Sequence, residues 1–263
     1  MKIADVHAHI FPAQIAQKAA DSIGEFYGTP APRAASAEVL LAEERAAGVE
    51  RILVCNSAVT EHQVEDVNRF IAAQCAAHKE FIGLGSIIPG MENYEEILDS
   101  IVARGLKGIK IHSDFQRIPL DAPAAVPMYR ACAARGLLVL FHMGDDRYDA
   151  SAPFRLWNLK RQVPELKVIA AHFGGYRAWD ASEKLPMPEG VWYDTSSSLM
   201  FLSEDRAKRL LNTLGAERFL FGTDFPMWSP GEEVKRFLSM DLGLTPAERE
   251  RILYGNFVTL FGE

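Results

Sequence analysis

The sequence predicts an α/β protein of the (β/α)8 TIM-barrel class, and three observations predict it. Eight short apolar runs alternate with longer amphipathic stretches along 263 residues, close to the roughly 250 that one such barrel uses. Polar, ligand-type residues stand at the C-terminal ends of both the first and the eighth run, and those ends meet only where the first strand neighbours the eighth. No GxGxxG follows the first run, so an open, doubly wound dinucleotide-binding sheet has no support.

The strands are expected at Ile3–Val6, Arg51–Cys55, Ile82–Ile88, Gly108–His112, Leu137–His142, Val168–His172, Val191–Thr195 and Phe219–Thr223. Each is short and bounded by Gly, Pro, Asp or Ser, as buried parallel strands are. Helical spacing of apolar residues covers Glu38–Ala47, Val64–Ala77, Tyr94–Ala103, Val126–Ala134, Phe154–Val163 and Asp205–Leu214. Gly48, Gly105, Gly136 and Gly215 stand where a helix should stop. Thr245-Pro246 with Glu248 reads as the start of a last helix running through Leu253. The stretch from Phe11 to Ala37 is far longer than the usual strand-to-helix loop of about 2–6 residues. With Phe11, Phe26, Tyr27 and three prolines, it is expected to hold a short helix near Ala13–Ile23 and to cover the C-terminal face of the barrel. Nothing marks an internal boundary, so residues 1–263 are read as one domain.

The composition narrows the function. A hydrophobic fraction of 48% supports a large core, and a net charge of -7 argues against nucleic acid or an anionic membrane as partner. A small molecule is the expected substrate, and self-association is left open. Cys55, Cys75 and Cys132 match no zinc or CxxC spacing and are read as small buried residues in a reduced compartment. No run reaches the ~18 apolar residues of a membrane span, and the start lacks a signal-like stretch, so a cytoplasmic location is expected.

The histidines carry the chemistry. Five of seven, His7, His9, His112, His142 and His172, fall at or just past the ends of predicted strands. Such positions make up roughly a tenth of a barrel chain, so chance would place fewer than one there. His7 and His9 lie two apart on a strand, about 6.6 Å along one face, where two imidazoles converge on one ion. His142 and His172 each follow a wholly apolar run and are the first polar groups those strands offer. Asp224 closes Phe-Gly-Thr-Asp, where a carboxylate must be paired, coordinated or protonated. Three histidines and one aspartate would make a catalytic zinc shell with a position left for water. Lys110 shares a strand face with His112; it would bind a substrate carboxylate, or be carboxylated and bridge two metals, or be a buried lysine in an ion pair. Arg147 and Arg177 are candidate carboxylate clamps or plain solvated arginines, and His62 and His78 are read as surface residues.

Asp-Val-His-Ala-His-Ile-Phe-Pro, Gly-Ile-Lys-Ile-His, His142, Ala-His-Phe-Gly-Gly, Phe-Gly-Thr-Asp-Phe-Pro and Ile-Leu-Tyr-Gly-Asn-Phe occur in that order across the chain. In these pieces the sequence resembles the amidohydrolase superfamily. It looks closest to the amidohydrolase-related branch that includes aminocarboxymuconate-semialdehyde decarboxylase and related aromatic-acid decarboxylases. The resemblance implies one divalent ion, usually zinc, on His7, His9, His142 and Asp224, with His172 beside it as catalytic acid/base. A binuclear version, in which carboxylated Lys110 bridges two ions and His142 and His172 bind the second, stays open. The expected reaction is hydrolysis of a small amide, lactone or ester by metal-activated water, with Asp224 accepting the water proton. The alternative is non-oxidative decarboxylation of an unsaturated or aromatic acid. Lys110, His112, Arg147, Phe26 and Tyr27 are the expected substrate-binding residues.

Overall fold

The computed structural model describes residues 1–185 and 189–262. Its strands are β1 (Ala4–His9), β2 (Arg51–Cys55), β3 (Phe81–Gly83), β4 (Gly85–Ser86), β5 (Gly108–Ile111), β6 (Leu138–Phe141), β7 (Val168–Ala170), β8 (Val191–Asp194) and β9 (Phe219–Leu220). They fall in two compact units: Met1–Cys55, Ala73–Ile82 and Thr195–Glu263 form the first, Asn56–Ala72 and Gly83–Asp194 the second.

In the first unit β1 runs parallel to β2, with a shift of register between Asp5 and Ala8. On its other side, β1 is flanked by the chain that follows β9. The Val6 amide donates to the Phe221 carbonyl at 2.9 Å, the Asp224 amide to the His7 carbonyl at 2.7 Å, and the His9 amide to the Phe225 carbonyl at 2.8 Å. The ends of the first and last strands therefore adjoin, as the placement of their polar residues requires.

The long stretch after β1 forms a fifteen-residue helix, Ala13–Tyr27, four residues longer than expected. Its buried stripe is Ala16, Ala20 and Gly24, small residues four apart that let the returning chain lie close. A Cβ on Gly24 would stand 2.8 Å from the Thr29 carbonyl oxygen, so only glycine fits. Ala20, Ala31, Ala35 and Met227 make a small core, with Phe11, Ile23, Tyr27 and Trp228 packed on it. The segment thus rests on residues that follow β9, at the C-terminal end of the strands.

In the second unit β4 to β8 pair in chain order, all parallel. β6 is buried throughout and pairs with the equally buried β5 and β7. Gly108 has no room for a side chain, because a Cβ there would lie 2.1 Å from the Leu138 carbonyl oxygen.

Several expected elements differ in detail. The run Ile82–Ile88 is two pieces and ends at Ser86, whose amide and carbonyl are both taken by the Asn68 side chain at 2.6 and 3.1 Å. The last helix does not stop at Leu253 but widens into a π turn, Arg251–Gly255, and continues as Asn256–Phe261. There the Ile252 carbonyl accepts from the Phe221 amide at 3.0 Å, a bond from outside the helix at the wide turn. Helices at Trp179–Lys184 and Pro230–Ser239 were not anticipated. Cys75 is only partly buried, unlike Cys55 and Cys132. Among the described residues, no helix is long and apolar enough to cross a membrane.

Candidate metal centre and active site

β1 ends in His7 and His9, and the turn after β9 places Asp224 against them. The Nε2 atoms of His7 and His9 lie 3.6 and 3.3 Å from Asp224 Oδ1. The three ligand-type atoms fall within 4.8 Å of one another, a spacing that suits a shared cation. The other nitrogen of each ring is already engaged: His7 Nδ1 lies 3.0 Å from Ser196 Oγ, and His9 Nδ1 3.5 Å from Cys55 Sγ. A metal-binding imidazole is oriented in this way, through its far nitrogen. Asp224 is held by its own amide on the His7 carbonyl and by the Ser197 hydroxyl, which donates to Oδ2. Its backbone is left-handed, with φ 63°. One carboxylate and two oriented imidazoles fit a divalent metal, and His7 is wholly buried while His9 and Asp224 keep some exposure.

Below the triad lies a second tie between the two ligand-bearing segments. Asp5 Oδ1 accepts from the amides of His7 and Thr223 at 2.9 and 3.0 Å, and Oδ2 from the Thr223 hydroxyl at 2.5 Å. The carboxyl is fully buried beside Glu44. Burial pushes Asp5 up to about 6, and burial together with Asp5 pushes Glu44 well above the usual carboxylate range.

The second unit presents a different arrangement. His142 follows β6, with Nε2 3.0 Å from the Gly144 carbonyl oxygen and Nδ1 3.1 Å from His172 Nε2. With Nε2–H donating to that carbonyl, Nδ1 is left as the lone-pair side. His172 is fixed through its backbone: its amide donates to Asp194 Oδ1 at 2.9 Å, and its carbonyl accepts from the Trp179 indole at 2.9 Å. Its φ of 61° turns the chain sharply after β7. Both rings are nearly inaccessible.

The remaining expected site residues are placed as follows. Lys110 is buried within β5. His112 stacks between Phe115, at 3.7 Å, and His142, at 4.0 Å, and caps the short helix Ser113–Gln116 through Nδ1. Asp114 lies 3.9 Å from His142 Nε2 and accepts from the Ser151 hydroxyl; its carboxyl is raised, chiefly by burial. Arg147 is on the surface with its guanidinium on Asp145, at 2.9 and 2.7 Å, and Arg177 lies over the Tyr176 ring. Phe26 packs edge-on against Tyr27 at 4.9 Å, and Tyr27 belongs to the cluster that holds Trp228. Sequence reasoning passed over Asp5, Cys55, Asp194, Ser196 and Ser197. Thr-Ser-Ser-Ser after β8 was the available signal, since a polar run at a strand end of this fold faces the site.

A family model described as amidohydrolase matches residues 4–262, and the chain belongs to that family. A 2-amino-3-carboxymuconate-6-semialdehyde decarboxylase of Dictyostelium discoideum is 25% identical over an alignment of 232 positions that covers 70% of this chain and 62% of that protein. The match thus spans less than two thirds of the relative's length. An uncharacterised TIM-barrel protein of Bordetella bronchiseptica has a TM-score of 0.78 at 21% identity, over 100% of this chain and 99% of that one. A dihydroxybenzoic acid decarboxylase of Polaromonas sp. JS666, with bound manganese and the inhibitor 2-nitroresorcinol, has a TM-score of 0.74 at 16% identity, over 99% and 97%. The fold is the TIM barrel that the sequence predicts. The chain is an enzyme of the amidohydrolase superfamily, in the branch that includes these decarboxylases. That family is metal-dependent, and the cluster of His7, His9 and Asp224 is a candidate metal site.

Proposed function

We propose that this enzyme removes CO2 from a small unsaturated or aromatic carboxylic acid, with a divalent metal held by His7, His9, His142 and Asp224. One observation favours this over hydrolysis. The hydrolytic reading needs Asp224 to take a proton from water, but Oδ2 already accepts the Ser197 hydroxyl and Oδ1 faces His7 and His9. The decarboxylase relatives support the same choice. The place of His142 among the ligands rests on the sequence motif.

When bound, the metal would supply positive charge that binds the acid and draws electron density toward its oxygens. His172 holds the reacting proton. The bond between the carboxylate and the ring or alkene carbon breaks, its electron pair stays on that carbon, and the proton on His172 is transferred there as CO2 leaves. Solvent then restores the proton. The buried setting of His172 and its fixed backbone keep the imidazole in one orientation for that transfer. A histidine-rich donor set favours zinc, though manganese in a relative makes metal identity part of the test.

The test is turnover of a panel of hydroxybenzoates, unsaturated acids, lactones and amides by metal-analysed protein, in deuterated water and separately in ¹⁸O-water. Decarboxylation gives CO2 and deuterium on carbon. Solvent ¹⁸O in an acyl product, without CO2, would replace this reading with the hydrolytic one.

A further inference from the structure

Ser197 has φ 45°, in the left-handed region that serine rarely enters. Its hydroxyl donates to Asp224 Oδ2, on a residue that is itself left-handed at φ 63°. Two strained residues thus meet in one hydrogen bond at the candidate metal site. The bond is extended outward, because the Trp228 indole donates to Ser197 Oγ at 2.8 Å. Ser197 is 5% exposed, so its hydroxyl is not there to meet bulk water. Trp228 in turn packs on the Ala20, Ala31 and Ala35 core beneath the long first segment, and lies edge-on to Phe201 at 5.9 Å. A line of contacts therefore runs from that segment through Trp228 and Ser197 to Asp224.

Strain of this kind persists only where the surroundings enforce it, and it gathers at functional sites. A glycine at 197 would satisfy the backbone without it. The hydroxyl is the only thing serine adds. We propose that Ser197, steadied by Trp228, is a positioning residue that caps Asp224 Oδ2 so that Oδ1 alone is presented to the metal. This rests on the reading of Asp224 as a metal ligand. Without the cap, both carboxylate oxygens are free to approach the ion and the coordination number rises.

The test uses full-length wild type, Ser197→Gly, Trp228→Phe and, as control, His9→Ala. Three properties are measured: the zinc dissociation constant by chelator competition, the visible absorption of the Co²⁺-loaded protein, and the melting temperature without metal. For Ser197→Gly the relief of backbone strain and the loss of two hydrogen bonds oppose each other, so the apo melting temperature should stay within about 4 °C of wild type. Zinc binding should weaken on the order of 10–100-fold, the usual cost of losing a partner of a metal ligand. Co²⁺ absorption should fall as an added oxygen raises the coordination number. Trp228→Phe should move affinity and spectrum the same way by less. Zinc affinity within about twofold of wild type and an unchanged Co²⁺ spectrum would overturn the proposal. So would a fall in apo melting temperature well beyond about 4 °C that accompanies the loss of affinity, since the role would then be structural. Zinc retention by His9→Ala equal to wild type would instead remove the metal-site reading, and this inference with it.

Discussion

The imidazoles of the two units are held by different means. In the first, His7 and His9 are oriented by the side chains of Ser196 and Cys55, and Asp224 by that of Ser197. In the second, His142 rests on the Gly144 carbonyl, while His172 is fixed by its own amide and carbonyl. Side-chain partners of a ring can be deleted one at a time, whereas the Gly144 carbonyl on the His142 ring cannot. The first unit is therefore where single substitutions should act on metal binding. In the second, single substitutions should act through the imidazoles themselves or, more weakly, through Asp194 and Trp179, whose side chains hold the His172 backbone.

The sharpest way to break this contrast is to remove a ligand. His7→Ala and His9→Ala should each abolish retention of about one divalent ion per chain, because two donors cannot hold what three or four do. Elemental analysis of dialysed protein measures this. Full metal content in both variants would show that the triad is not the site.

Next in size is His172→Ala. Activity should fall on the order of 10²–10⁴-fold while metal content stays, since the residue is argued to carry a proton. Trp179→Phe removes one donor to the His172 carbonyl and should cost far less, because a single hydrogen bond contributes about 1 kcal/mol. A drop from two ions to one in His172→Ala, repeated in Lys110→Ala, would establish the binuclear arrangement instead.

Much of this contrast was legible in the sequence, but only its inner layer. His142 and His172 each end an apolar run, and His7, His9 and Asp224 stand at the ends of the first and last runs, so burial and polarity disagree there and the residues stand out. Ser196 and Ser197 do not stand out, because serine is at home in any loop; their importance lies in which atom they touch. Asp5 was hidden within a predicted strand, where its bond to Thr223 joins residues 218 apart in the chain. The same limit applies to the fold. Helices with periodic apolar faces were placed to within a residue. The π turn at Arg251–Gly255 was not, because it coincides with an amide from the far side of β9.

The long first segment provides a smaller effect. Tyr27 packs on the cluster that contains Trp228, and Phe26 packs on Tyr27. Replacing both by alanine should change KM or substrate preference several-fold while leaving metal content intact. Steady-state kinetics with two substrates of different size would measure this. Lost metal with unchanged KM would place these rings in the support of Asp224 rather than in the pocket.

The smallest effect expected is on stability, and it concerns the carboxyl pair beneath the triad. Asp5 is raised to about 6 and Glu44 well above its ordinary value, both chiefly by burial. The native state therefore keeps protons that the unfolded chain has already released at about pH 4.5. A native state that binds more protons loses stability as pH rises, so the pair stabilises the fold at acid pH and ceases to do so as pH climbs through about 6 and above. Glu44→Gln cannot ionise. It should flatten the fall in apo melting temperature between about pH 5 and pH 8 and raise the value at the alkaline end. The slope should not vanish, because Glu233, raised to about 7 chiefly by burial, titrates in the same window with the same sign. Thermal melts of metal-free protein across that range would test it. An unchanged slope in Glu44→Gln would mean that Glu44 is already charged in the fold, and that Asp5 ties His7 to Thr223 without sharing a proton.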